Sequence, residues 1–145
     1  MTLAAEPVRP EARRRGRRMA APAVVVGGLA AATLALRLRD PHTSGSWGAC
    51  PFALAGISCP GCGGLRAVND LTHLELGAAA SSNLLLVLAL PLVLYALGRW
   101  TRGAWTGRGW ALSSRATMLT AGVVLAAMAV FTVLRNLPAG SWLAP

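Results

Sequence analysis

Cys50, Cys59 and Cys62 are the only thiols of the 145-residue chain, and all three fall in one short stretch rich in Gly and Pro. Cys59-Pro60-Gly61-Cys62 puts Pro and Gly at the two central positions of a turn, where Pro presets φ and Gly supplies φ > 0. The spacing therefore predicts a type II turn that brings two sulfurs together. Gly63-Gly64 would let the next N–H groups curl toward a thiolate. Three chemistries use such a group. With Cys50 as a third sulfur and His73 or His42 as the fourth ligand, it is a Cys₃His site for zinc or iron. As a dithiol with Cys50 as resolving partner it is a redox pair, the Cys62 thiolate being favoured by the start of a helix and by Arg66. As a single disulfide from Cys50 to Cys59 or Cys62, it only staples a loop. Spacing alone does not choose among them.

A second set of polar residues follows. Arg66, Asn69, Asp70 and His73 recur at the three-to-four spacing of one helix face, opposite Leu65, Val68, Leu71 and Leu76. Ionisable groups near a membrane are costly to keep, which would suit a proton relay or a catalytic role with Cys59 and Cys62. The plainer expectation is an i, i+4 pair between Arg66 and Asp70 on a wet face, with His73 solvated at the interface. Asn83 is expected to cap a helix or to bond between helices, and Trp47 and Phe52 to anchor at the interface.

The elements that must position these groups are apolar. Hydrophobic residues make up 54% of the chain and charged ones 13%, gathered into long blocks that leave no water-facing surface. The expected fold is an all-α integral membrane protein. Its three transmembrane helices cover 19–36, 77–98 and 116–134, and the Cys/Gly/Pro-rich loop 41–64 and a short polar-faced interfacial helix, 65–76, lie between the first and second. The second span must borrow 77–83 to reach crossing length, with a kink at Pro91. Residues 1–18 read as a disordered Arg-rich tail, 99–115 as an Arg/Trp loop at headgroup level, and 135–145 as a short tail. The Arg-Arg-Arg-Gly-Arg-Arg run reads as the flank of a retained anchor, not as a cleaved twin-arginine signal.

Charge gives the orientation. The net charge of +9 comes from fourteen Arg, no Lys and five acidic residues. Ten arginines (9, 13, 14, 15, 17, 18, 99, 102, 108, 115) fall on one side of three spans and four (37, 39, 66, 135) on the other. The N-terminus is therefore expected in the cytoplasm, with the cysteine loop and the C-terminus outside. Anionic lipid headgroups are the natural partners of the arginine-rich tail, with other membrane proteins a further class, and no module for nucleic acid accompanies the charge.

The run Cys50-Pro51-Phe52, then Gly56 to Ala67, then Leu76-Gly77-Ala78-Ala79 and Asn83 resembles a family of small bacterial membrane proteins classed only as a domain of unknown function. Its signature is Cys-Pro-Phe … Cys-Pro-x-Cys-Gly-x-x-Arg-Ala. Leu65 stands where many members carry Thr. The resemblance covers about Cys50 to Leu97 and implies a multi-pass protein of a bacterial plasma membrane, without an activity, substrate or cofactor. The expected function is a non-catalytic membrane component whose loop holds a metal or a disulfide. A thiol–disulfide redox protein or membrane enzyme is the alternative.

Overall fold

In the computed structural model, residues 10–43, 52, 56–109 and 112–143 are described, so Cys50 and Trp47 lie outside the described residues. Four α-helices and a terminal 3₁₀ helix follow in order: α1 (Pro10–Leu38), α2 (Gly64–Thr72), α3 (Leu76–Thr106), α4 (Ser114–Arg135) and the 3₁₀ segment Pro138–Leu143. Among the described residues there is no strand. Three helices are long and apolar enough to cross a membrane: Arg14–Leu38, Leu76–Thr106 and Ser114–Arg135. The chain is thus an all-helical membrane protein, with α3 central: α1, α2, α4 and the 3₁₀ segment all pack against it.

Several boundaries differ from the sequence expectation. Helix α1 begins at Pro10, so the part of the expected tail from Pro10 through the arginine run is helical. Ala- and Arg-rich sequence has high intrinsic helix propensity, and Pro is tolerated in a first turn, so nothing stops the apolar helix from extending backwards. Helix α3 breaks at Asn83 (φ −160°, ψ 89°), not at Pro91. The Asn83 side chain accepts the Leu86 N–H at 3.0 Å, so it caps a helix that restarts there and runs on to Thr106. The helix that carries the second span, Leu76–Thr106, includes the expected residues 77–83 and also runs on through Arg99–Thr106, most of the expected Arg/Trp loop.

Burial is inverted relative to a water-soluble protein. Large apolar side chains such as Val24, Leu88, Leu92 and Leu125 are exposed along the spans, whereas Asn69, Asp70, Ser82, Asn83 and Arg135 are buried. Lipid gives apolar side chains no reason to leave it, so close packing and polar bonds hold the helices together instead. Those buried polar residues, with the fully covered Ala67 and Ala79, all lie at the end of the bundle where α2 sits. The small alanines let α2 and α3 approach closely there.

Helix α2 is fixed at both ends. Gly63 precedes it at φ 77°, a conformation that favours glycine. At its other end the Leu74 N–H donates to the Leu71 carbonyl at 3.1 Å and the Glu75 N–H to the Asp70 carbonyl at 2.9 Å. These two bonds make a Schellman motif with Leu74 (φ 64°) in the left-handed position. Helices α1 and α2 also cap each other: Asn69 Nδ2 donates to the Leu36 carbonyl at 2.7 Å, and Arg37 Nη1 donates to the Thr72 carbonyl.

Candidate functional site

The cysteine turn sits at the N-terminal end of α2. The Cys62 N–H donates to the Cys59 carbonyl at 3.1 Å and the Gly64 N–H to the Gly61 carbonyl at 3.0 Å, two successive turns that lead into the helix. Positive φ falls at Gly63 and not at Gly61, so the turn is not the expected type II. Turning at Gly63 lets the Cys59–Cys62 turn run straight into α2. The sulfurs nevertheless meet, with Cys59 Sγ and Cys62 Sγ 2.9 Å apart and both residues half-buried.

Three side chains from other helices grip this turn through its backbone. Asn83 Nδ2 donates to the Pro60 carbonyl at 2.9 Å and to the Cys62 carbonyl at 3.2 Å. Arg135 Nη1 donates to the carbonyls of Cys59 at 2.9 Å and Cys62 at 3.0 Å. Asn136 pairs with Ser58 in both directions, its Oδ1 accepting the Ser58 N–H at 3.0 Å and its Nδ2 donating to the Ser58 carbonyl at 2.9 Å. Arg135 is only 2% exposed and lies over the Phe131 ring at 4.9 Å. Its Nε and Nη2 are buried without a hydrogen-bond partner. A buried guanidinium with two nitrogens left without a partner therefore sits against the backbone of both cysteines.

The C-terminal end of α2 carries a separate cluster. Asp70 is buried, with His42 Nε2 at 2.7 Å from its Oδ1 and Ser82 Oγ donating to its Oδ2 at 2.9 Å. His42 is itself held in a tight turn, its N–H donating to Asp40 Oδ1 at 2.8 Å. Asp40, His42 and Asp70 line a cleft of about 470 Å³ together with Arg37, Asn69, His73 and Glu75.

The expected residues thus divide between two places. Cys59, Cys62 and Asn83 come together, while Asn69, Asp70 and His73 gather at the far end of α2, nine residues and about 13 Å away along the axis. His73 is turned back on its own helix, Nδ1 bonding the Asn69 carbonyl at 3.0 Å, and His42 is taken up by Asp70. Neither imidazole therefore joins the sulfurs as a fourth ligand. Among the described residues no three His, Cys, Asp or Glu side chains form a metal-holding group. The expected Arg66–Asp70 pair on a wet face is also replaced, because Asp70 faces α3 and the residue 40–43 turn, not water. Arg135 and Asn136 went unread as site residues. The available signal was a single arginine, followed by Asn, closing an uncharged span on the same side of the bilayer as the cysteine loop.

Residues 50–97 match the model of a family described as a protein of unknown function, DUF2752. The resemblance to an uncharacterised family is thereby shown over that stretch, which contains Cys59, Cys62, all of α2 and Asn83 but not Arg135 or Asn136. No curated protein and no solved structure is matched by the chain.

Proposed function

We propose that this small membrane protein carries a thiol–disulfide site at Cys59 and Cys62. The observation behind the reading is the buried Arg135 guanidinium, which bonds the backbone carbonyls of both cysteines, whose sulfurs are 2.9 Å apart, and has two nitrogens left without a partner. A fixed cation opposes a metal cation at the same place and favours a thiolate. The Cys62 thiolate, just ahead of α2, attacks one sulfur of a disulfide on a partner protein, and the partner's other sulfur leaves as a thiolate. The Cys59 thiolate then attacks Cys62 Sγ and breaks the mixed disulfide. The Cys59–Cys62 dithiol loses two electrons, and the partner disulfide becomes two thiols. A loop on the extracytoplasmic side, where disulfides persist, fits the arginine asymmetry, and the arginine-rich end then faces anionic headgroups in the cytoplasmic leaflet.

The test is thiol counting by mass-tagged maleimide on purified full-length protein equilibrated across a range of glutathione potentials, with metal analysis in parallel. The expected result is a reversible two-thiol change that Cys59→Ser or Cys62→Ser abolishes. Arg135→Gln is expected to lower the alkylation rate at neutral pH by about tenfold, because it removes the fixed cation beside the thiols. One zinc or iron per chain, lost with either cysteine and accompanied by no two-thiol change, would overturn the reading in favour of a metal site.

A further inference from the structure

At the opposite end of the bundle, α1 and α3 leave a groove of about 580 Å³ between them. Its walls are Met19 and Val26 of α1 and Leu94, Leu97 and Gly98 of α3, and Arg102 and Trp105 line one end. Leu94 to Trp105 spans eleven residues, so the groove runs about 16 Å along the membrane normal. It has the shape and lining of a slot for a hydrocarbon chain.

Charge gathers where Arg102 and Trp105 stand. Arg15 lies over the Trp105 ring at 4.8 Å, and the Arg18 guanidinium lies against Gly107. Among the side chains that are described, which exclude Glu6 and Glu11, the acidic ones, Asp40, Asp70 and Glu75, are at the other end of the molecule, so a second copy packed side by side in the same orientation would bring no anion from them to these arginines. A phosphate joined to an acyl chain satisfies both halves of the site at once. We infer that the α1–α3 groove binds one anionic phospholipid, with an acyl chain along Val26, Leu94 and Gly98 and the phosphate at Arg15, Arg18 and Arg102. The site rests on the proposal that the arginine-rich end faces anionic headgroups, and adds to it a defined position.

Gly98 gives a clean test, because a Cβ built there meets nothing within 4 Å. Gly98→Leu puts a branched side chain into the groove from a Cβ position that meets no neighbour. Purified full-length protein is titrated with dioleoyl phosphatidylglycerol or dioleoyl phosphatidylcholine, and retained lipid is read by native mass spectrometry. The wild type is expected to retain the anionic lipid about tenfold better. Gly98→Leu should lose retention of both lipids at an unchanged melting temperature, and Arg102→Gln should narrow the preference about fivefold, the share of one arginine. If Gly98→Leu keeps the wild-type preference while Arg102→Gln weakens it, the groove site falls and the general attraction to anionic headgroups stands. If the wild type retains the two lipids equally, both fall. Disulfide-linked dimers of Gly98→Cys that form regardless of added lipid would give the groove to a second copy and overturn the inference.

Discussion

The two ends of α2 are built on opposite plans. At the N-terminal end the acceptors are backbone carbonyls of Pro60, Cys59 and Cys62, the donors are Asn83 and Arg135, and two arginine N–H groups are left over. At the C-terminal end the acceptor is a side chain, Asp70, and His42 and Ser82 take one oxygen each. Carbonyls carry no net charge, so they cannot neutralise a guanidinium. Among the described residues of that turn, the groups that can acquire negative charge are the two sulfurs. Donor surplus therefore makes the first end a place where ionisation changes something, while the second end resembles a balanced structural joint. Adjacent residues of α3 serve the two plans, Ser82 facing Asp70 and Asn83 facing the cysteine turn.

That adjacency allows the comparison to be broken one end at a time. Asn83→Ala removes two bonds to the turn and the cap on Leu86 from a residue only 2% exposed. At about 1 kcal/mol for each buried bond, the expected loss is about 3 kcal/mol. Thermal denaturation in detergent checks this, and maleimide labelling of Cys59 and Cys62 should speed up as their turn loosens. Unchanged labelling with the full stability loss would mean that Arg135 and Asn136 hold the turn without α3. Ser82→Ala removes one buried bond to a carboxylate and should cost about 2 kcal/mol, with thiol reactivity unaltered. A change in thiol reactivity there would show the two ends to be coupled through α2.

The three spans were legible because uncharged blocks of bilayer length have few other folds open to them, whereas part of the expected loop 41–64 lies outside the described residues. The polar face of α2 was legible as a face, since three-to-four spacing places Asn69, Asp70 and His73 together. Its surroundings were not, because periodicity does not say whether a polar face meets water or another helix. Asp70 looked like the partner of Arg66 four residues away, and is buried against Ser82 and His42, which lie twelve and twenty-eight positions distant. Asn83 was read as a cap or an interhelical bond; it caps the helix that restarts at its own position, and its other bonds go to the cysteine turn and not to a second helix. The continuation of the second span past Gly98 to Thr106 could not be read, because an Arg- and Trp-containing stretch suits a headgroup-level loop as well as a continued helix. Arg135 was counted as a flanking charge. Its place under the cysteine turn follows from docking α4 against α3, which no local pattern records.

The smallest expected effect concerns the stop at the C-terminal end of α2. Leu74 holds the left-handed position of the Schellman motif at φ 64°, where an L side chain costs about 1–2 kcal/mol and glycine nothing. The side chain is 85% exposed, so removing it forfeits no packing within the protein. Against this stands the greater freedom of glycine in the unfolded chain, about 0.5–1 kcal/mol. Leu74→Gly should therefore stabilise the protein by about 0.5–1 kcal/mol, read as a rise in melting temperature, with alkylation rates at Cys59 and Cys62 unchanged. The two readouts test different parts of the comparison. Altered alkylation would show that the stop sets the register of the whole helix and hence the cysteine turn. A lowered melting temperature would instead show that the Leu74 side chain is held by something outside the chain, the lipid surface or a partner, strongly enough to outweigh its backbone strain.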